Sequence, residues 1–275
     1  IEYNGFLFKQ GSVKEAYEAS MDFLFHRFPG WDEIVIGAVP NGVAEYLEYD
    51  KKLYRHDLWE APTYGIDLLE LREGNKDYLS TLSRNTRYQI RRSGKRYASY
   101  GDVEVQQAST VDQALQFFRE ISPLHIARWG VVESGFTNPA FLKFHEALIQ
   151  GSWSKGQIDL CRVDVAGQAI AYFYNFTYNS RVYFYLSGLV SENDKALKPG
   201  LLGHSLCIQR YIEKGMDYYD FMGGEARYKQ SLGRKSIQIF QVSLQKDLIK
   251  FRLERSARLM KHKISQIKQE MFSDD

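Results

Sequence analysis

The sequence has 275 residues, 44% of them hydrophobic, which is enough for one large domain or two small ones with a packed core. Lys and Arg total 36 against 34 Asp and Glu, and this near balance argues against a protein dedicated to binding nucleic acid. No apolar run approaches the roughly 18 residues of a membrane span, and the first residues lack the layout of a signal peptide. We therefore expect a soluble, cytoplasmic protein.

The N-terminal 98 residues show three predicted elements. Residues 12–28 predict an amphipathic helix that ends at "PGW", and "DEIVIGAVP" predicts a buried strand. A second helix is predicted within "LSRNTRYQIRRSGKRYASYG", residues 82–101, whose basic side chains gather on one broad face. The other side of this helix carries apolar residues: Leu79, Leu82, Ile90 and Tyr97. The spacing alone is compatible with two interpretations of the basic face: it binds a ligand, or it is simply solvated.

From Val103 onward, helices and strands alternate in a recognisable order. The strand "VEVQQAST" precedes the helix "VDQALQFFREISPLHIARW", with a break expected at Pro123, and then the helix "NPAFLKFHEALIQGSW". Three strands joined by the short turns "AGQ" and "YNSR" predict an antiparallel meander. The helix "LLGHSLCIQRYIEKG", the strand "DYYDFM", the short segment "EARYKQSLG" and the strand "IQIFQVSL" follow. The predicted order is therefore β, α, α, β, β, β, α, β, α, β.

A terminal helix is predicted over residues 246–271, with many Lys and Arg residues and one apolar seam. The seam consists of Ile249, Leu253, Met260, Ile264, Ile267 and Met271. We expect it to pack against its own domain, and pairing with a second copy in a homodimer is the alternative.

The two cysteines and the known catalytic motifs exclude several classes of site. Cys161 and Cys207 stand in no CxxC or His-rich context, so we predict no metal site and a reducing compartment. No Ser-His-Asp order, HExxH or GxxxxGKS/T element is present, which argues against hydrolases, zinc proteases and P-loop proteins.

The first candidate motif is "KPGLLGHSL", in which a loop leads into a helix start containing two glycines. A helix N-terminus offers free backbone N–H groups and a partial positive charge, which bind phosphate, and small residues let the phosphate approach. The alternative is an ordinary junction between loop and helix. Gly200 and Gly203 lie at this helix start, and Lys195 and Lys198 add positive charge.

The second candidate motif is "YYDFMGGEARYKQSLG", where a strand ends near Asp220 and is followed by Gly223 and Gly224. Polar groups just past a strand end are well placed to line a cleft. Tyr228 can donate a proton and Lys229 can stabilise a developing negative charge. The alternative is that the tyrosine packs in the interior and the lysine is solvated.

The third candidate motif is "HIARWGVVESGF", which follows the expected helix break. Trp129 and Phe136 are predicted to wall an acceptor pocket, and His125 or Glu133 is the candidate general base. A structural or solvated role is the alternative for the His and the Glu.

These motifs and the element order resemble the GNAT acyltransferase superfamily, and more narrowly its CelD-like branch, which is related to the Fem aminoacyl transferases. The resemblance runs from about residue 30 onward and rests on "LSRNTRYQIRRSGKRYASYG", "HIARW…SGF", "KPGLLGHSL" and "DFMGGEARYK". It implies an α/β fold with a mixed, mostly antiparallel sheet flanked by helices. It also implies a partial GNAT-like region over residues 1–98 and a catalytic domain over residues 99–275.

The resemblance implies direct acyl transfer from acyl-CoA, as cosubstrate and not as a resident cofactor, to an amine such as an amino sugar, nucleotide sugar, polysaccharide precursor or amino acid. The CoA pyrophosphate would sit at the N-terminus of the helix after the fourth strand, and Lys229 would steady the transition-state charge. The cofactor-binding residues that the resemblance implies are Lys198, Gly200, Leu201, Leu202, Gly203 and His204. The segment departs from the family's usual Arg/Gln-x-x-Gly-x-Gly/Ala pattern, so the donor stays open. Fem relatives use aminoacyl-tRNA instead.

The basic helix has three interpretations under this resemblance. Arg91 and Arg92 are predicted to flank the acceptor cleft and bind a phosphate-bearing or acidic acceptor. A tRNA donor would use the same arginines. An RNA-binding module without catalysis would use them too, but would leave the Gly-Gly-Tyr-Lys segment without a role. A degenerate or purely structural GNAT fold is the remaining alternative.

Overall fold

The computed structural model describes residues 2–6, 8–9, 11–28, 30–44, 46 and 53–271. By their contacts, the residues form two compact units, Thr63–Ser236 and a unit composed of Ile1–Pro62 with Ile237–Asp275. The sequence-based division at residue 98, with a partial GNAT-like N-terminal region, stays a prediction. No helix among the described residues is both long and apolar enough to cross a membrane.

The unit formed by the two chain ends is built on an antiparallel strand pair. It contains helix α1 (Val13–His26), strand β1 (Glu33–Pro40), the short helix α2 (Asn41–Ala44), and parts of the long strands β2 (Leu53–Asp67) and β8 (Arg234–Lys246). Strand β1 pairs with β8, and Tyr17 and Met21 of α1 pack in the core beside both strands. The strand predicted from "DEIVIGAVP" and the helix predicted over residues 12–28 are therefore confirmed.

The terminal helix α9 (Ile249–Met271) exposes the apolar seam that the sequence predicts. Ile249, Leu253 and Met260 are all exposed, so the expected packing of the seam on its own domain is wrong for these three residues. The side chains of Ile264, Ile267 and Met271 lie outside the described part of the chain.

The unit Thr63–Ser236 contains a mixed sheet with the order β2, β7, β6, β5, β4, β3. Only β6 and β7 are parallel, and the other neighbours are antiparallel. Besides β2, the strands of this sheet are β3 (Val103–Gln107), β4 (Ile158–Val165), β5 (Gln168–Tyr178), β6 (Arg181–Leu189) and β7 (Tyr218–Gly223). The predicted α/β fold class with a mixed, mostly antiparallel sheet is confirmed.

Helices cover both faces of this sheet. One face carries α3 (Leu68–Glu73), α4 (Arg84–Ala98) and α7 (Pro199–Glu213), and the other carries α5 (Val111–Glu133) and α6 (Pro139–Ser152). Neighbouring β5 residues point to opposite faces, so Phe173 packs in the first core and Tyr172 and Tyr174 in the second. The short helix α8 (Arg227–Leu232) lies between β7 and β8 in the chain.

Helix α5 runs through Pro123, so the break predicted at that proline is wrong. Pro123 removes one helix hydrogen bond, but Phe118 and Ile121 are fully buried on the sheet and hold the helix in place. The helical conformation is interrupted instead at Gly130, where φ is 81°. Glycine adopts this left-handed conformation without a steric penalty.

Strand β2 is an element that the sequence analysis missed. Its first eight residues are exposed or half-buried, and only Ala61 to Ile66 form a continuous buried run. No regular alternation of apolar and polar residues results, and Pro62 within the run argues against a strand. The segment is recognisable only in its tertiary context.

Helix α7 approaches strand β5 closely at a buried glycine. A Cβ atom on Gly203 would lie 2.5 Å from Cε2 of Phe173, whose ring is fully buried and has no room to move. A glycine is required here by packing.

We expect Gly203→Ala to lower the free energy of unfolding by about 1 to 3 kcal/mol, because the new methyl group would overlap the Phe173 ring. Urea denaturation measures this loss. Gly151→Ala is the matched control: it also lies in a helix, and no atom lies within 4 Å of its Cβ position. The control should be neutral or slightly stabilising. Equal stability of the two variants would contradict the close approach.

Candidate active site

A cavity opens where two parallel strands separate. Strands β6 and β7 pair only from Arg181 with Tyr218 to Tyr183 with Asp220, and then they diverge. The cavity, about 670 Å³ in volume, is lined by the end of β6, the start of α7, the C-terminal half of α5 and Tyr228 of α8. A cavity of this size accommodates a small-molecule ligand.

The N-terminus of α7 forms one wall of this cavity. The helix begins at Pro199, which has no N–H group, and the N–H of Leu202 is the first to bond within the turn, to the carbonyl of Lys198 at 3.0 Å. The N–H groups of Gly200 and Leu201 therefore have no intrahelical acceptor. Both residues and Lys198 line the cavity, so this wall suits an anionic group.

Helix α4 holds the loop that leads into α7. The Lys198 N–H donates to Ser93 Oγ (2.9 Å), Arg96 Nε donates to Asp194 Oδ2 (2.9 Å), and the Tyr97 hydroxyl donates to Glu192 Oε1 (2.9 Å). The N–H of Ala196, and after it Arg96, hold the pKa of the Asp194 carboxyl below its usual value. Part of the basic helix thus has a structural role beside the candidate site.

The six basic residues of α4 divide into two groups. Arg87 donates to the carbonyls of Leu79 and Ser80, and Arg96 bonds to Asp194. The other four have no ion-pair partner among the described residues and share an exposed side with Tyr88. We call this side the outer face of α4; it consists of Arg84, Tyr88, Arg91, Arg92 and Lys95.

The floor of the cavity is aromatic. The rings of His204 and Tyr228 stack at 5.5 Å and 13°, and Phe184 lies 4.6 Å from the His204 ring. His204 is buried, with Nδ1 3.2 Å from the Tyr219 hydroxyl. Burial, with the positive charge of Lys229 next in importance, lowers the pKa of His204 to about 3, so this imidazole is neutral at physiological pH.

The cavity wall from α5 carries His125, Arg128 and Trp129, which face it together because they are three and four residues apart on a helix. His125 Nδ1 lies 2.9 Å from Ser134 Oγ, and that oxygen also accepts the N–H of Phe136. Burial and then the charge of Arg128 lower the pKa of His125. A neutral imidazole here is able to accept a proton.

Some predicted ligand residues lie elsewhere. Leu202 and Gly203 are buried in the core between α7 and the sheet, and Phe136 packs with Phe118 between α5 and α6. Glu133 is exposed at the end of α5. The structure therefore assigns Leu202, Gly203 and Phe136 to packing, and none of these four residues lines the cavity.

The residues around the glycine pair support each other and do not line the cavity, except for Tyr228. Lys229 is buried, and its Nζ donates to the carbonyl of Gly223. The Oδ1 of Asp220 accepts the N–H of Met222 at 2.7 Å. Gly224 adopts a φ of 111°, which a residue with a side chain rarely adopts. A catalytic role for Lys229 or Glu133 stays a prediction.

Sequence reasoning missed several residues of the site. Arg128, Tyr185, Ser187 and Ser191 line the cavity although none was a candidate. For Arg128 the helical spacing from His125 was an available signal. The β6 residues give no such signal, because their exposure to the cavity depends on where β7 leaves the sheet. Among the described residues, no cluster of three His, Cys, Asp or Glu side chains could hold a metal ion.

Comparison with protein families identifies the class of this domain. Residues 84–230, more than half of the chain, match the family model described as an acetyltransferase (GNAT) domain. The chain therefore belongs to the acetyltransferase (GNAT) domain family and is a transferase. No curated protein matches the sequence significantly.

Solved structures share the fold at low sequence identity. FemX matches with a TM-score of 0.59 and 12% identity, over 86% of this chain and 79% of that one. L-PGS from Bacillus licheniformis matches with a TM-score of 0.57 and 12% identity, over 91% and 79%. A conserved protein of unknown function from Bacteroides thetaiotaomicron gives 0.56 and 12%, over 83% and 75%. At this identity the likeness concerns the fold alone.

The neutral state of His204 predicts an acid sensitivity of the fold. Its pKa is lower in the folded protein than the 6.5 of an exposed histidine, so stability falls as the pH drops below about 6.5 toward 3. Between pH 7 and pH 5 we expect His204 to contribute a loss of about 2 kcal/mol. The His204→Phe variant keeps an aromatic ring but has no imidazole. Between the two pH values its free energy of unfolding should therefore fall by about 2 kcal/mol less than that of the wild type, as measured by urea unfolding. An identical pH dependence in both proteins would show that folding does not lower the pKa of His204.

Proposed function

We propose that this protein transfers an acyl group from acyl-CoA directly to an amine acceptor. The proposal is supported by membership of the acetyltransferase (GNAT) domain family. The observation that carries it is the cavity between β6 and β7, in which the N-terminus of α7 and the side chains of His125 and Tyr228 line one space. A phosphate-binding element and proton-transfer groups are thereby combined.

The cavity fits the two chemically distinct parts of the donor. The N–H groups of Gly200 and Leu201, with Lys198, suit the pyrophosphate. Strand β6 pairs with β7 only as far as Tyr183, and Leu186, Ser187 and Leu189 at its end line the cavity, where an extended pantetheine arm can run along the strand. Apolar side chains on this part of the strand, including Leu186 and Leu189, would pack against the arm and the acyl chain.

The chemistry needs no covalent enzyme intermediate. The amine nitrogen attacks the thioester carbonyl, the carbon–sulfur bond breaks, and the thiolate takes a proton from the Tyr228 hydroxyl. In the tautomer in which His125 Nδ1–H donates to Ser134 Oγ, Nε2 carries no proton. This Nε2 atom accepts the proton that the amine loses. Positioning of the two substrates in one cavity supplies much of the rate acceleration.

A thermal-shift titration with CoA, acetyl-CoA and longer acyl-CoAs tests the donor. At a ligand concentration of one hundred times Kd, we expect a stabilisation of about 2.7 kcal/mol, or a rise in Tm of roughly 5 to 10 °C. Ser187→Trp should abolish the rise, because the indole would obstruct the part of the cavity that the end of β6 lines. Tyr178→Trp, at an exposed position of the same sheet, is the control and should keep it.

The absence of any CoA-dependent shift in the wild-type protein would contradict the proposed donor. A shift that survives Ser187→Trp would place the CoA site outside this cavity.

His125→Gln tests the general base. We expect kcat to fall by about 10² to 10⁴, with little change in the Tm rise caused by acyl-CoA, because the side chain acts on the proton and not on the donor. In the wild-type enzyme kcat should fall on the acid side of neutrality, as His125 becomes protonated, at a pH below its ordinary titration range. An unchanged kcat in the variant would remove His125 from the mechanism.

A second candidate donor, aminoacyl-tRNA, is favoured by the outer face of α4. Four exposed cations without an ion-pair partner among the described residues, and one exposed tyrosine, suit a phosphate backbone and a base. The same face could instead hold a phosphate-bearing acceptor beside the α7 loop. These alternatives differ in their dependence on salt.

Arg91→Ala with Arg92→Ala separates the two candidates. With a tRNA donor we expect steeply salt-dependent binding of bulk tRNA, weakened roughly tenfold or more by the double variant, in a filter-binding assay. The Tm rise caused by acyl-CoA should be unchanged, because neither arginine lines the cavity. If the double variant binds tRNA as the wild type does, the outer face is not an RNA site.

A further inference from the structure

A second cavity lies within the same compact unit and is separate from the first. It has a volume of about 610 Å³ and shares no lining residue with the cavity between β6 and β7. Helix α8 takes part in both: Tyr228 lines the first, whereas Arg227, Gln230 and Ser231 line the second. The proposed acyl transfer gives no role to this second cavity.

Side chains and backbone from several elements fix its walls. The end of β2, helix α3, the start of α4, helix α8 and the first residues of β8 all contribute. The buried hydroxyl of Tyr78 donates to the carbonyl of Leu232 at 2.8 Å and ties the end of α8 to the turn before α4. The cavity is thus built by the tertiary fold and does not depend on a single loop.

The two carboxylates of the second cavity already have partners. Asp67 Oδ1 accepts the N–H of Glu70 at 2.7 Å, which caps helix α3. Glu70 forms an ion pair with Lys76 at 3.0 Å. Lys76 chiefly, and the charge of Arg234 to a smaller extent, hold the pKa of the Glu70 carboxyl below its usual value, so this acid already interacts with two cations.

Three further cations line the second cavity without such a partner. Arg227, Arg234 and Lys235 are exposed, and no carboxylate among the described residues forms an ion pair with them. Three positive charges from two elements, α8 and β8, converge on one concave space. Their mutual repulsion is relieved by an anion that binds between them.

The start of α4 also contributes to the lining of the second cavity. Ser83 caps this 15-residue helix by accepting the N–H of Thr86 at 3.1 Å, and both residues line the cavity. The N–H groups of Arg84 and Asn85 belong to the first turn and have no intrahelical acceptor. The helix dipole therefore adds to the field of the three cations.

The rest of the lining is apolar or aromatic and would suit a ring. Ile66, Leu71, Leu82, Leu232 and Tyr218 contribute to it. We propose that this second cavity is a binding site for a phosphate-bearing small molecule of nucleotide size, whose phosphates are held by Arg227, Arg234 and Lys235. The site is distinct from the proposed acyl-CoA cavity and does not depend on it.

Isothermal titration calorimetry on the full chain with UDP, inorganic pyrophosphate and uridine tests the proposal. We expect saturable binding of UDP, weaker binding of pyrophosphate and none of uridine. Arg234→Ala with Lys235→Ala should weaken UDP binding at least tenfold. Lys143→Ala with Lys155→Ala removes the same two charges from exposed positions outside the cavity and should leave the affinity within about twofold.

The outcomes are distinguishable from failure of the acyl-CoA proposal, because the readout contains no acyl donor. If the paired variant lowers Tm by itself, Arg227→Ala, at an exposed position of α8, serves as the second variant with the same expected loss. Absence of saturable binding by both phosphate-bearing probes overturns the proposal. UDP affinity that survives both cavity variants also overturns it, because the anion would then bind elsewhere.

Discussion

The early end of the pairing between β6 and β7 is the constraint on which the candidate site depends. Three residue pairs hold the two parallel strands together, and beyond Tyr183 the chain of β6 runs on without its neighbour. A sheet that continued to pair would fill this space with side chains and satisfy the edge of β6. Divergence leaves a cavity and places the start of α7 beside it.

A free helix N-terminus is useful only if the loop before it is fixed. Helix α4 supplies this support through Ser93, Arg96 and Tyr97, each of which bonds to the segment from Glu192 to Lys198. The basic helix that stands out in the sequence thus has two functions. Its flanking arginines bind protein atoms, whereas its outer face remains available to an anionic partner.

The local charge pattern matters more than the near-neutral total. Cations that form no ion pair with any described residue lie at the start of α7, on the outer face of α4 and in the second cavity, all within the unit Thr63–Ser236. Carboxylates near them, such as Asp194 and Glu70, are already engaged. Anions are therefore the ligand class that this unit suits, even though the chain as a whole carries a formal charge of only +2.

The sequence predicted those features that follow from short-range pattern. The elements from Val103 onward, the start of α7 and the place of Tyr228 at the site depend on periodicity, proline and glycine signals over a few residues. It did not predict β2, because the exposed first half of this strand shows no alternation of apolar and polar residues. It also did not predict that α5 continues through Pro123, because this continuation depends on tertiary packing. The burial of Lys229 and the exposure of Ser187 to the cavity depend on the register between distant strands, which no local pattern records.

Hydrogen–deuterium exchange with and without acyl-CoA is the most direct measurement of the central claim, because the claim concerns particular backbone N–H groups. We expect slower exchange over the segment from Leu186 to Leu202, and most strongly at Gly200 and Leu201. Protection confined to other segments, with exchange at the start of α7 unchanged, would contradict it.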